Sequence, residues 1–352
     1  MSKFFSKRLS ALEPYNPGPQ PTDKEIKLNT NENPYPPSPQ VMPAVLGEIE
    51  SLQLYPDSQA SELTMALAKH YGLKKQQVFT ANGSDEVMAF CFMAFCDQDT
   101  PAQYPDISYG FFKVYSQLFG VPSLEIPLKE DFSIDVDNYL NNNATIFLPN
   151  PNAPTGLSLT LEKIETILKH NPDHLVFIDE AYSEFSGQSC VSLLAKYDNL
   201  LISSTLSKSR SLAGARCGYA LTSESIIEDL NKIKYSFNPY NVSSMTQAAS
   251  IAALQDQEYF TTCNQKVIES REQAKKSLKE IGFDMTDSQA NFLFIKHPHI
   301  NGKKLYQQLK QKGFLVRHFQ QDRIEDYLRI TIGTPAQMTK LLAGIREILS
   351  EY

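Results

Sequence analysis

Apolar residues along this chain come either in short unbroken runs or at helical spacing. Leu200-Leu201-Ile202, Ala144-Thr145-Ile146-Phe147-Leu148 and Leu175-Val176-Phe177-Ile178 are unbroken runs, and they predict strands covered on both faces of a parallel sheet. Val78-Phe79-Thr80 predicts a further short strand. Residues 61–72, with Gly72 as the stop, repeat at helical spacing; so do the residues from Ser84 to Phe95 and the stretch through Leu161, Ile164 and Leu168. From residue 223 the pattern is helical, through about 235 and again from 243 to 281. A smaller α+β pattern follows: strand 292–295, a helix near 301–312, strands 314–316 and 327–332, and a closing helix through Leu341, Leu342, Ile345 and Leu349. Residues 1–44 are proline-rich and without period, yet Leu12, Tyr15, Ile26 and Leu28 give them apolar anchors. An extended arm lying across a partner or covering a cleft is therefore expected rather than disorder. The chain divides into this arm (1–44, contributing to the small domain), a large domain (45–255) and a small C-terminal domain (256–352), with an α/β fold overall.

Bulk composition narrows the class. At 41% hydrophobic and 21% charged, the 352 residues are those of an ordinary globular protein with ample core material. A net charge of -7 argues against nucleic acid as a partner, and no apolar run reaches membrane-spanning length. Residues 1–8 carry positive charge but lack the apolar core of a signal peptide. The 5 cysteines are scattered and form no CxxC pair, so neither disulfides nor a structural zinc is expected. A cytoplasmic enzyme fits these properties.

Candidate chemistry gathers at the strand ends. Lys208 stands just past the run 200–202, followed by a small-residue turn that ends in Arg216. A lysine there is poorly placed for solvent but well placed for an amine that must lose its proton and attack a carbonyl, the chemistry of pyridoxal enzymes. Those enzymes pair the lysine with a carboxylate at the pyridine nitrogen, and Asp179 ends the run 175–178. The spacing from Asp179 to Lys208 suits a crossover plus one strand, which brings both to one sheet edge. A metal role for Asp179 finds no support, since His297 and His299 merely flank a proline and no second carboxylate stands at ligand spacing. Gly83-Ser84-Asp85 opens a helix after a strand, with Ser84 and Asp85 as caps, and forms a natural phosphate cradle. Tyr109, in an aromatic stretch, is suited to stacking on a planar ring. The motif from Asn29 through Asn33 is rich in amide and carboxyl groups that could orient a polar substrate, while Arg329, inside an apolar strand, and Arg317, at the end of another, are candidate anion forks.

Taken in order, several motifs resemble those of the fold-type I pyridoxal phosphate aminotransferases, and within them the histidinol-phosphate aminotransferase family. They are Asn29-to-Pro34, Tyr55-Pro56-Asp57, Gly83-Ser84-Asp85-Glu86, Pro151-Asn152-Ala153-Pro154-Thr155-Gly156, Asp179-Glu180-Ala181-Tyr182, Ser207-Lys208, Arg216 and Leu328-Arg329-Ile330-Thr331-Ile332-Gly333. The resemblance runs from about Tyr15 to the final helix. It implies a large α/β/α domain with a mixed, mostly parallel sheet, and a smaller α+β domain. It also implies that Lys208 carries pyridoxal 5'-phosphate covalently, that Asp179 pairs with the ring nitrogen and that Tyr182 donates to the phenolic oxygen. Tyr109 would stack on the ring; Gly83, Ser84, Asp85, Thr205, Ser207 and Arg216 would hold the phosphate. Tyr55 would reach the other subunit's cofactor in a homodimer, and Tyr15, Asn33, Arg317 and Arg329 would bind the amino donor and the 2-oxo acid. Ala153 stands where the family usually has an asparagine, leaving neighbouring Asn152 or Tyr182 alone to serve the phenolic oxygen; Phe112 replaces a common tyrosine. The implied reaction is transamination between L-histidinol phosphate and 2-oxoglutarate. An aromatic amino acid aminotransferase, a decarboxylase of a phosphorylated amino acid and a non-catalytic cofactor-binding regulator are the alternatives.

Overall fold

The computed structural model describes residues 2–22 and 24–352; Met1 and Asp23, both within the expected arm, lie outside the described residues. In chain order the elements begin with β1 (Ile26–Lys27), α1 (Val41–Glu48), α2 (Ser61–Tyr71), β2 (Val78–Ala81), α3 (Ser84–Phe95), β3 (Ala102–Pro105), α4 (Phe111–Phe119) and β4 (Ser123–Ile126). Next come β5 (Thr145–Pro149), α5 (Leu161–His170), β6 (Val176–Asp179), the single turn α6 (Ser183–Ser186), β7 (Leu200–Thr205), β8 (Gly218–Leu221), α7 (Glu224–Phe237), α8 (Ser244–Gln255) and α9 (Gln257–Glu280). The chain ends with β9 (Asp284–Met285), β10 (Phe292–Lys296), α10 (Gly302–Gln311), β11 (Phe314–Leu315), β12 (Arg317–His318), β13 (Leu328–Thr331) and α11 (Pro335–Leu349).

Seven strands form one sheet in the order β2-β8-β7-β6-β5-β3-β4. All neighbours are parallel except β8, which lies antiparallel between β2 and β7. The unbroken apolar runs are its centre, and their alternation divides two cores. Ile146, Ile178 and Ile202 face one cluster with Leu63, Leu67 and Ile164; Phe147, Phe177 and Leu201 face another with Phe90, Phe92 and Phe112. Phe112, the family's usual tyrosine position, is therefore a wholly buried core side chain. A second sheet, β12-β13-β10-β9, packs with α9, α10 and α11 around a third cluster that includes Leu278, Leu293, Ile330 and Ile345. The arm is woven into this unit. β1 pairs in parallel with β11, Leu28 is buried in the third cluster, and the Leu28 carbonyl accepts from the Thr331 amide at 2.9 Å.

Three local expectations need correction. The stretch 243–281 is two helices, because Asp256 leaves helical geometry (φ -87, ψ 73) and its carboxylate caps α9 through the Tyr259 amide. The run 314–316 is split, since β11 pairs with β1 while β12 turns to β13. Ser84 and Asp85 do not cap α3; the cap is Gly83, at φ 84, and both residues lie in the first helical turn. Strands β3, β4 and β8 and helices α1 and α4 carry patterns too short or too polar to stand out. Ala102-Gln103-Tyr104-Pro105 is wholly buried despite its glutamine, whose side chain donates to the Asn138 carbonyl at 2.9 Å.

Candidate active site

The parallel strands β5, β6 and β7 end side by side, and a cavity of about 290 Å³ opens at those ends. Pro149 from β5, Asp179 from β6, and Thr205, Ser207 and Lys208 from the end of β7 line it, together with Ser84, Asp85, Tyr109, Ala181, Tyr182 and Arg216. Burial sets the acid–base properties. Loss of solvent pushes the Asp179 carboxyl up to about 7, against the amide of Ala181, which donates to it at 3.0 Å. Burial, reinforced by the Arg329 charge, brings the Lys208 amine down to about 8. A lysine so lowered loses its proton far more readily than an exposed one, and the aspartate needs a cation to ionise fully.

One end of the cavity is built for an anion. Gly83 caps α3, its own amide donating to the Ala81 carbonyl at 2.9 Å, so that the first turn of the helix, Ser84 and Asp85, lines this end. Arg216 lies across this end, pairing with Asp85 at 3.0 Å, so close that a Cβ on Gly83 would stand 2.6 Å from its guanidinium. Thr205 Oγ1 donates to the Cys217 carbonyl at 2.9 Å, accepts from the Ser207 amide at 3.1 Å and lies 2.8 Å from Ser207 Oγ. Tyr109 is held to the same end by donating to Asp85 at 2.7 Å. A phosphate cradle, a lysine of lowered basicity, a buried carboxylate and a flat aromatic wall are the donor set that pyridoxal phosphate requires.

Above the cavity sits the arm, which the sequence treated as a single motif. Gln20, Lys27, Thr30 and Glu32 line the cavity; Thr30 and Glu32 belong to the Asn29-to-Asn33 motif, whereas Gln20 and Lys27 carry no signal in the sequence. The carbonyl of Thr30 accepts from Lys208 Nζ at 3.1 Å. Burial opposes ionisation of Glu32, but bonds from Lys27 and Thr30 outweigh it and hold its carboxyl below the usual range. Density of polar groups between Asn29 and Asn33 was the available signal; which of them face inward depends on Asn31 at φ 58.

Two expected residues, Asn152 and Asn33, take other places. Asn152 is spent on its own loop: its amide donates to the Ile107 carbonyl (3.0 Å) and to Thr155 (3.1 Å), and its oxygen accepts from Ser108. It therefore does not replace the amide missing at Ala153, which itself lines the cavity. Asn33 grips the lysine turn instead of the cavity, donating to the carbonyls of Lys208 and Ser209, both at 3.1 Å. Tyr15 stacks on Phe111 (centroids 4.5 Å apart) and meets Tyr109 edge-on. Arg317 and Arg329 are direct cross-strand partners on β12 and β13. Like charges so placed repel unless an anion lies between them. Arg329 Nη2 donates to the Asn29 carbonyl (3.0 Å) while its buried Nε has no partner among the described residues, and Arg317 donates to the Asn16 carbonyl (2.9 Å). Tyr55 is remote from the cavity of its own chain, 81% exposed and stacked on Tyr240.

Known proteins agree with this architecture. The profile of the class I and II aminotransferases matches residues 23–345. A histidinol-phosphate aminotransferase of Brachyspira hyodysenteriae is 48% identical over 352 residues, covering 99% of each chain. One from Acinetobacter baylyi is 50% identical over 349 residues, covering 98% of this chain and 97% of its own. The crystal structure of histidinol-phosphate aminotransferase from Sinorhizobium meliloti in complex with pyridoxal-5'-phosphate superposes with a TM-score of 0.90, at 22% identity, over 100% of this chain and 99% of that one. This chain belongs to the class I and II aminotransferases, within the histidinol-phosphate aminotransferase family.

Proposed function

We propose that this protein is a pyridoxal phosphate-dependent aminotransferase that exchanges the amino group of L-histidinol phosphate with 2-oxoglutarate, a step of histidine biosynthesis. The observation that carries the reaction is the buried Lys208–Asp179 pair at the ends of adjacent parallel strands; the substrate follows from the relatives of 48% and 50% identity. When bound, pyridoxal phosphate supplies an electron sink for the electrons released at the substrate α-carbon. Asp179 would keep the ring nitrogen protonated, Tyr182 would donate to the phenolic oxygen and Tyr109 would cover the ring. Ser84, Asp85, Thr205, Ser207 and Arg216 would hold the phosphate. Lys208 Nζ, lowered to about 8, would take the α-proton of the amino donor and deliver it to the C4′ carbon of the cofactor. Arg329, with its unpartnered Nε, would grip the carboxylate of glutamate or 2-oxoglutarate, and Arg317 with Tyr15 the acidic end of the other substrate.

The active unit we propose is a homodimer. Met42, Leu46, Leu52, Leu54 and Tyr55 from α1 and the segment after it are all at least half exposed, and Phe237 lies exposed beside Tyr240. Such a patch supports a partner subunit, and Tyr55 within it is free to reach that subunit's phosphate. The division into a large domain to residue 255 and a small one from 256 is supported by the α8–α9 break at Asp256. A cytoplasmic location is supported by 5 free cysteines and, among the described residues, by no helix long and apolar enough to cross a membrane.

The deciding experiment follows the visible absorbance of the cofactor-loaded protein after mixing with L-histidinol phosphate, and separately with phenylalanine. Rapid conversion by histidinol phosphate alone is expected. Conversion by phenylalanine alone would move the protein to the aromatic aminotransferases, and no change with either would remove the reaction.

A further inference from the structure

Tyr182 packs against an apolar wall. Its ring meets Phe292 edge-on (centroids 5.1 Å, 89°), and Ala153 and Ala290 complete that side. The loop that contributes Ala153 therefore offers the hydroxyl no donor, its nearest amide, Asn152, being committed to Ile107 and Thr155. The partner comes from the arm: Asn31 Nδ2 donates to Tyr182 Oη at 2.8 Å.

Asn31 is held at each of its other polar atoms. Its amide donates to Thr331 Oγ1 (2.9 Å), its carbonyl accepts from Asn291 Nδ2 (2.9 Å), and its Oδ1 accepts from Thr331 Oγ1 (3.1 Å). Thr331 has one hydroxyl proton, which needs an acceptor, so Oδ1 faces Thr331 and Nδ2 must face Tyr182. The positive φ of 58 is one that asparagine tolerates better than most residues. Backbone, threonine and amide thus agree on one orientation.

We propose that Asn31 is a positioning residue: by donating to Tyr182 Oη it commits that hydroxyl to donate its own proton into the cavity, onto the phenolic oxygen of pyridoxal phosphate. The inference rests on the cavity taking that cofactor, as argued above. An oxygen that already accepts from Asn31 keeps its proton for the cavity, and a donor on the phenolic oxygen stabilises its ionised form. The charges that bear on Tyr182 are Arg329, Asp179 and Asp85, and an uncharged replacement of Asn31 leaves all of them in place.

The test is a pH titration of the visible absorbance of the bound cofactor in the holoenzyme. Asn31→Asp keeps the side-chain shape and the acceptor for Thr331 but presents an acceptor to Tyr182, and Asn31→Gly keeps the backbone conformation without either group. Both are expected to raise the titration midpoint by about one pH unit, the scale of one hydrogen bond. Tyr182→Phe is expected to raise it as well, and adding Asn31→Gly to Tyr182→Phe should move it no further, because Asn31 acts through the hydroxyl. A midpoint unchanged in Asn31→Gly, with only the melting temperature lowered, would overturn the proposal, as would a shift that adds fully to that of Tyr182→Phe. Failure of the unmodified protein to take up pyridoxal phosphate would overturn the functional reading too, whereas normal uptake with unmoved variants overturns the inference alone.

Discussion

Lys208, at about 8, and Asp179, at about 7, have been moved toward each other by the same cause, loss of solvent at the end of a buried sheet. Their pH consequences have opposite sign. Asp179 binds its proton more tightly in the folded protein than in the unfolded chain, so in the cofactor-free protein its contribution to stability falls as pH rises from about 4 through 7. Asp179→Asn should lack that loss, which thermal melts across this window would reveal against the unmodified protein. Lys208 binds its proton less tightly when folded, so its contribution rises with pH between about 8 and the usual lysine value. The neutral amine is the reactive form, and the rate of pyridoxal phosphate uptake is therefore expected to climb through pH 8. Lys208→Ala should lower turnover by at least about 10³-fold. Arg329→Lys retains charge but loses the planar fork, and a drop of about 10- to 100-fold in kcat/KM for glutamate is expected, mostly in KM.

At the scale of elements, close backbone approach shapes the anion end. A Cβ on Gly218 of β8 would stand 2.2 Å from the Gly83 carbonyl carbon and the Ser84 amide nitrogen, so β8 fixes where α3 begins. Gly218→Ala should push the start of α3 outward, costing about 1–3 kcal/mol by thermal or urea unfolding. It should also weaken cofactor affinity beyond what that destabilisation accounts for; unchanged affinity would separate the strand from the cradle. β8 was hard to find because a four-residue strand holding a glycine has almost no pattern of its own. The central runs of β5, β6 and β7 were legible because strands buried on both faces are apolar at nearly every position.

Across the whole molecule, the arm joins the two sheets' neighbourhoods at the cavity. Asn29 accepts from Arg329, Thr30 from Lys208 and Asn31 donates to Tyr182, so consecutive residues meet the guanidinium, the amine and the hydroxyl. The proposed dimer adds Tyr55 from a second copy, and complementation tests it. Lys208→Ala chains mixed with Tyr55→Ala chains should regain activity above either alone, since each mixed dimer contains one site with both residues intact. Absence of any gain in verified mixed dimers would confine Tyr55 to its own subunit.

The sequence alone marked the candidates for the chemistry: an amine and a carboxylate at the ends of buried apolar runs, a glycine before a helix and an arginine inside a strand each violate a solvation or conformational preference in a readable way. Tertiary structure decided where the amides point. Asn29, Asn31, Asn33 and Asn152 are chemically identical in sequence, yet Asn31 serves Tyr182, Asn33 the lysine turn and Asn152 its own loop. An uncharged amide leaves no hydrophobic or electrostatic pattern along the chain, and its role is set by a single hydrogen bond whose partner lies far away in sequence.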